Sequence, residues 1–169
     1  MPHPLVTQLQ FTRAKWQLGL EGVSAEEALK QFGQMNCISW AVGHLAYFEQ
    51  RSWVQHAQGK VISEAVKACG FGQPASTPPL DEMQAAWHEI TTAADDYLNT
   101  LSETDVLSHP TFKGKTSPES TGTLILRHTY HYWYHLGEAQ AIRQLLGHQD
   151  LPPFVGAVPI EAHYQTSGD

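Results

Sequence analysis

The chain has 169 residues, of which 41 % are hydrophobic and only 16 % are charged. This length suffices for a single domain with its own core, because such a chain buries about 70 % of the surface that it exposes when unfolded. Seventeen acidic and ten basic side chains give a net charge of −7, and the basic residues are scattered singly. We therefore expect no nucleic acid partner, since a phosphate backbone requires clustered Lys and Arg.

Targeting and membrane signals are not found in the sequence. No apolar stretch approaches the roughly 18 residues of a membrane-spanning helix, and the first residues lack the basic-then-apolar pattern of a signal peptide. We expect a soluble, cytoplasmic protein with no membrane partner. Cys37 and Cys69 are then expected to be free thiols.

The first predicted helix covers residues 4–20, with Leu9 and Trp16 on its apolar side. Ser24 has the properties of an N-cap, because two glutamates follow it, and it predicts a short helix that ends near residue 32.

The second long helix is predicted to start after an N-cap at Asn36 and to end near residue 58, before Gly59. A further short helix is possible over residues 61–68. The inward arc of the second long helix comprises Cys37, Trp40, Ala41, His44, Leu45, Phe48 and Ser52.

The third helix shows the clearest periodicity of the chain. Apolar residues recur at alternating steps of three and four, which is typical of a helix packed nearly parallel to its neighbours. The stripe consists of Leu80, Met83, Trp87, Ile90, Ala94, Tyr97 and Leu101.

The fourth helix is predicted to begin after Ser117 as N-cap, with Pro118 at its first position, and to end near Leu146. Its inward row consists of Leu124, His128, His131, His135, Glu138, Ile142 and Leu145. Together the four long helices predict an all-α fold, an antiparallel four-helix bundle with short accessory helices. We expect one domain over residues 1–169, with a core at 4–147. An irregular C-terminal tail, 148–169, should lie across the bundle or reach a second subunit.

Ten histidines, as many as Lys and Arg together, are the unusual feature of the composition. His131 and His135 are one turn apart on the same face of a helix, a spacing at which two imidazoles can bind one metal ion. His44 on the second helix is the natural third ligand, because an unpartnered histidine on an apolar arc would be costly. His128 lies about two turns from His135, too far to share the ion. The alternative is that these histidines are hydrogen-bonded residues of the core.

Two motifs resemble those of the DinB/YfiT-like superfamily of metal-binding four-helix bundles. Residues 36–46, NCISWAVGHLA, are similar to the "N…W…GHLA" segment of that family's second helix. Residues 131–138, HYWYHLGE, are similar to the "H-x-x-x-H-x-G-Q" segment of its fourth helix. The resemblance in helix order extends over residues 4–147.

The resemblance implies a three-histidine site, His44, His131 and His135, for a divalent ion such as nickel, zinc or iron. It further implies a homodimer and a metal-dependent enzyme, a thiol-dependent transferase or isomerase or a related hydrolase. Such enzymes use a low-molecular-weight thiol, bacillithiol, mycothiol or glutathione, alongside a small-molecule substrate. The alternatives are a stress-response protein that binds metal or a small ligand without catalysis, and a structural dimerising bundle.

Glu138 stands where the family often has Gln. We expect it to accept a hydrogen bond from a histidine ring and so to fix its tautomer. It could instead be a fourth ligand or a general base. Tyr134 could donate a hydrogen bond to the substrate, although aromatic packing is the more common role.

Overall fold

The computed structural model describes residues 2–153 and 158–163. The four long helices are α1 (Pro4–Leu20), α3 (Ile38–Glu49), α4 (Leu80–Leu98) and α6 (Thr121–Leu145), and α3 continues directly into a π-helical segment. In chain order the elements are α1 Pro4–Leu20, α2 Ala25–Ala28, α3 Ile38–Glu49, the π-helical segment Gln50–His56, the 3-10 helix Ala65–Cys69, α4 Leu80–Leu98, α5 Glu103–Leu107, β1 Thr111–Phe112, β2 Lys115–Thr116, α6 Thr121–Leu145 and α7 Val158–Glu161. The all-α fold predicted from the sequence is confirmed.

The core lies between two helix pairs, α1 with α6 and α3 with α4, and α3 also contacts α6. All four helices contribute fully buried side chains, among them Trp16, Leu45, Ile90 and Ile125. The stripe predicted on α4 is buried from Leu80 to Ala94, so the periodicity of that segment did identify its core face. The bundle therefore has one continuous hydrophobic core.

Two predicted helix starts are wrong. Cys37, not Asn36, caps α3, since its Sγ accepts a hydrogen bond from the backbone N–H of Trp40 at 3.4 Å. Ser120, not Ser117, caps α6, whereas the Ser117 hydroxyl accepts from the N–H of Glu119 in the preceding turn. In both cases another side chain that can accept from a free N–H group lies within three residues of the predicted cap, and sequence alone does not decide between the two.

The second long helix is not a uniform α-helix, contrary to the prediction. The π-helical segment turns Glu49, Gln50 and Trp53 into the interior, whereas Phe48 and Ser52 of the predicted arc are only half-buried. Gln50 is satisfied there by the backbone of the following loop. Its Oε1 accepts from the N–H groups of Ile62 and Ser63, at 2.8 Å each.

The inward row predicted on α6 is displaced around the helix. The residues that fill the core are Ile125, Tyr132, Leu136, Ala139 and Ile142. The histidines lie on the flank of this row, and Leu145 at its predicted end is 58 % exposed. His128 and His135 are nevertheless buried, as predicted, and with the half-buried His131 they line the side of α6 that meets the second long helix.

Part of the tail lies against α1, which agrees with the expectation that the tail packs on the bundle. In α7, Glu161 pairs with Lys15 of α1 at 2.9 Å, and the carbonyl of Ala162 accepts from the Gln8 side chain. Residues 154–157 and 164–169 of the predicted tail lie outside the described residues. Among the helices that the structure describes, none combines the length and apolar character needed to cross a membrane.

Candidate metal centre

Three histidines from two helices converge at the junction of α3 and α6. His44 comes from the middle of α3, and His131 and His135 from successive turns of α6. One ring nitrogen of each lies within 4.8 Å of the others, which is close enough for one ion to contact all three. The i, i+4 spacing on α6 and the inward position on α3 thus bring together the three residues that the sequence singled out.

The His44 ring is fixed by two contacts. Its Nδ1 lies 2.6 Å from the carbonyl oxygen of Cys69, at the end of the 3-10 helix. Since a carbonyl only accepts, Nδ1 carries the hydrogen and Nε2 keeps its lone pair. Trp40, one turn earlier on α3, stacks on the ring with centroids 4.4 Å apart. The structure therefore presents one defined nitrogen of His44 as a ligand.

The His135 ring is oriented in the same manner by Glu138. The Nδ1–H donates to Oε2 of Glu138 at 2.6 Å, which directs Nε2 toward the centre. That Nε2 faces Nε2 of His131 at 3.0 Å. Two ring nitrogens at this distance share either a proton or a cation. The contact of Glu138 is that of a residue that orients a histidine ligand.

Burial keeps two of the histidines neutral at physiological pH. Desolvation lowers the pKa of His44 to about 4. Desolvation, together with repulsion from His135 and His44, lowers the pKa of His131 to about 3. A neutral imidazole is the form that binds a metal ion, so no proton has to be displaced from these two rings near neutral pH.

His128 and Tyr134 lie beside the centre without joining it. His128 is buried and its Nε2 lies 2.9 Å from the hydroxyl of Ser52, and it is not part of the convergent group. Tyr134 is 63 % exposed, and its hydrogen bond to Glu138 raises the pKa of the phenol. Its role as a donor to substrate stays a prediction.

The carbonyl of Cys69 is the functional group that sequence reasoning missed. A backbone acceptor leaves no signal in residue type, and its approach to His44 depends on the fold of the loop between α3 and α4. Gly43 was the available signal, because the 3-10 helix packs directly on it: a Cβ there would lie 2.6 Å from Sγ of Cys69.

The donor set fits a divalent metal ion of borderline softness. Three neutral imidazoles suit zinc, nickel or iron, whereas magnesium and calcium favour oxygen ligands. Three protein ligands also leave a coordination position for water or substrate.

Comparison with known proteins places the chain in a family. The family model of the DinB superfamily matches residues 8–139, a span that includes all three histidines of the centre. No curated protein matches the sequence. Because the matched span covers well over half of the sequence, the chain belongs to the DinB superfamily.

Proposed function

We propose that His44, His131 and His135 bind one divalent metal ion and that the protein is a metal-dependent enzyme of the thiol-dependent transferase or hydrolase type. The observation that carries the metal site is the orientation of the rings. His44 and His135 each donate Nδ1–H to a fixed acceptor, so that both Nε2 atoms are directed toward the point where the cation would bind. Core histidines that were only packed polar groups would also need acceptors, but nothing would require one nitrogen of each of three rings to lie within 4.8 Å of the others.

The residues of the chain have distinct roles in this proposal. His44 and His131 are held neutral by burial, and Glu138 places negative charge behind His135, which makes its ring a better donor to a cation. Trp40 and Phe48 pack on the His44 ring and limit the access of water on that side. A bound ion would supply a Lewis acid that lowers the pKa of a coordinated thiol or water.

Metal analysis of protein purified without a histidine tag tests the site. We expect close to one divalent ion per chain, and a lower midpoint of thermal unfolding after chelation. His131→Ala should abolish most of the occupancy. The matched variant His128→Ala, three positions away on the same helix, should retain it. Equal losses in the two variants, or metal-free wild-type protein whose stability is indifferent to chelators, would refute the site.

Titration with thiols separates the enzyme from a metal-binding protein without catalysis. In cobalt- or nickel-substituted protein, a thiolate that binds the ion produces a charge-transfer absorption. We expect this band with at least one of glutathione, bacillithiol and mycothiol, and not with the corresponding S-methylated compound. If every thiol leaves the spectrum unchanged, the thiol-dependent activity is excluded while the metal site stands.

A further inference from the structure

We propose that a cavity beside the histidine centre binds a small organic anion with an aromatic body. This cavity, here called the hairpin cavity, lies between the π-helical segment, the β1–β2 hairpin and the first half of α6, and has a volume of about 510 Å³. Sites for small molecules commonly measure about 300–1,000 Å³. The size therefore suits one compact organic molecule.

A second cavity shares lining residues with both the hairpin cavity and the histidine centre. This second cavity of about 690 Å³ shares Phe48, Arg127 and His128 with the hairpin cavity and is lined by His131 of the centre. A molecule in the hairpin cavity would thus lie one cavity away from His131. The interpretation of this molecule as a substrate rests on the proposed function, whereas the binding of the molecule to the hairpin cavity does not.

The lining of the hairpin cavity is basic, whereas the protein as a whole is acidic. Three of the ten Lys and Arg residues line it, Arg51, Lys115 and Arg127, in a chain of net charge −7. None of the described lining residues is acidic. Basic groups gathered in a lining that has no acidic member create a positive potential that attracts an anion.

Among the residues that the structure describes, two of the three cations have no counter-charge. Arg127 is held by Glu119, which accepts from it with both carboxylate oxygens. Arg51 and Lys115 form no ion pair with any residue that the structure describes, and both side chains are exposed at the rim. They are therefore free to pair with a ligand carboxylate, sulfonate or phosphate.

The walls of the hairpin cavity are aromatic. Phe48, Trp53, Tyr97 and Phe112 line it, so that a ligand ring would find aromatic faces and edges on several sides. Aromatic walls below and cations at the rim match a molecule that has a flat apolar body and one anionic end.

The hairpin that closes the cavity is anchored in place. Phe112 stacks on His56 of the π-helical segment, with ring centroids 3.8 Å apart and planes 20° from parallel. The two-residue turn, Lys113 and Gly114, has positive φ at both positions, as a tight two-residue hairpin turn requires. The cavity is thus preformed, which reduces the entropic cost of binding.

The test uses two fluorescent probes that differ only in charge. 1-Anilinonaphthalene-8-sulfonate carries an anionic sulfonate, and N-phenyl-1-naphthylamine has the same rings without it. Metal-free protein is titrated with each, so that failure of the metal site does not affect the result. We expect the anion to bind, and the double variant Arg51→Gln, Lys115→Gln to weaken it about tenfold, on the scale of one lost charge-assisted contact. The neutral probe should bind both proteins equally.

Two control variants test whether the loss of affinity comes from these two cations and whether the probe binds in the hairpin cavity. Lys30→Gln, Lys67→Gln removes the same charge from exposed ion pairs remote from the lining, and should leave the affinity for the anion within about twofold. Ala57→Phe keeps the cations but fills space in the wall and should weaken both probes. All substituted side chains are exposed, so circular dichroism should show an unchanged fold. The proposal fails if the anion does not bind, if the Arg51, Lys115 variant binds it as wild type does, if the control weakens it equally, or if Ala57→Phe has no effect.

Discussion

The chemistry of the centre depends on which nitrogen of each imidazole carries the hydrogen. In His44 the acceptor behind the ring is a neutral backbone carbonyl, and in His135 it is a carboxylate. The two acceptors fix the same tautomer but differ in charge. Glu138 therefore does more than orient: it places a negative charge behind the ring of His135, which strengthens the bond of that ring to a cation.

Substitution of Glu138 separates orientation from charge. Glu138→Ala removes the acceptor and should weaken metal binding by about 10- to 100-fold. Glu138→Gln keeps an oxygen that can accept from Nδ1 of His135, so the loss should be clearly smaller. Competition with a chromogenic chelator measures both affinities. If the Gln variant loses as much as the Ala variant, the negative charge is the essential contribution; if neither loses affinity, the orienting role is wrong.

His128 predicts how the metal-free protein responds to acid. Desolvation lowers its pKa from 6.5 to about 4 in the fold. As pH falls from 6.5 toward 4, the unfolded chain binds a proton that the folded chain refuses, so the free energy of unfolding decreases. The contribution of His128 to the free energy of unfolding is fully present above pH 6.5. About 3 kcal/mol of it is lost by pH 4.

Urea unfolding at several pH values between 7 and 4 checks this pH dependence. His128→Gln cannot gain a proton, yet its amide can still hydrogen-bond to Ser52, so the decline should become shallower by about one proton. His44 and His131 continue to contribute to the slope in the metal-free variant, because their pKa values are lowered as well. An unchanged slope in the variant would contradict the neutral, buried state of His128.

At the scale of the helices, the periodicity of apolar residues predicted where the long helices lie in the chain. It predicted the buried face of α4 but not that of α6. The stripe on α4 and the extent of α1 follow from the spacing of apolar residues, since a long amphipathic helix has one face to bury. On α6, polar and aromatic side chains are interleaved, and the buried face was misplaced by about one residue because histidine and tyrosine both pack in interiors. The π-helical segment has no local signature in the sequence, and it begins where Glu49 and Gln50 are buried against tertiary partners.

The three histidines of the centre were predictable because helix periodicity alone places them on defined faces. His131 and His135 share one face at a spacing set by the helix alone, and His44 interrupts an apolar arc. The acceptors that orient the rings were only half predictable. Glu138 is three positions from His135 on the same helix, whereas the Cys69 carbonyl reaches His44 through a loop.

The contact between α3 and the 3-10 helix holds that carbonyl in place, and glycine makes it possible. A Cβ at Gly43 would lie 2.5 Å from Sδ of Met83 and 2.6 Å from Sγ of Cys69. Gly43→Ala should therefore push the two elements apart. We expect a destabilisation of about 1–3 kcal/mol by overpacking and a weaker metal site.

Gly137 is the matched control on α6, since a Cβ there meets no atom within 4 Å. Gly137→Ala should stabilise the protein by about 0.5–1 kcal/mol, the ordinary gain of alanine over glycine inside a helix. Thermal unfolding compares the two variants. If both substitutions stabilise the fold, Gly43 is not required for close packing.

At the scale of the whole molecule, one buried polar network joins all four long helices. Arg13 of α1 donates to both carboxylate oxygens of Glu49 on α3, at 2.8 and 2.7 Å, and to Asp95 of α4 at 2.6 Å. The hydroxyl of Tyr132 on α6 binds Glu49 in turn and accepts from the indole N–H of Trp87 at 2.7 Å. Glu49 has no exposed surface, and the Arg13 charge nevertheless keeps the pKa of its carboxyl below the usual value.

The two partners of this ion pair should respond unequally to removal. Arg13→Met leaves Glu49 fully buried with only the Tyr132 hydroxyl to satisfy it, and should cost about 3–5 kcal/mol. Glu49→Leu should cost less, because Arg13 keeps Asp95, which is partly exposed and stabilises the remaining charge. The double variant should be more stable than the sum of the two losses predicts, since no unpaired charge then remains at the Glu49 position. A double-mutant cycle measured by urea unfolding gives this coupling.

The exposed pair Glu26 and Lys30, treated in the same way, should give a coupling of less than about 1 kcal/mol. Equal coupling in the two pairs would mean that burial does not govern the strength of the network, and an additive Arg13–Glu49 cycle would mean that the network does not hold the four helices together.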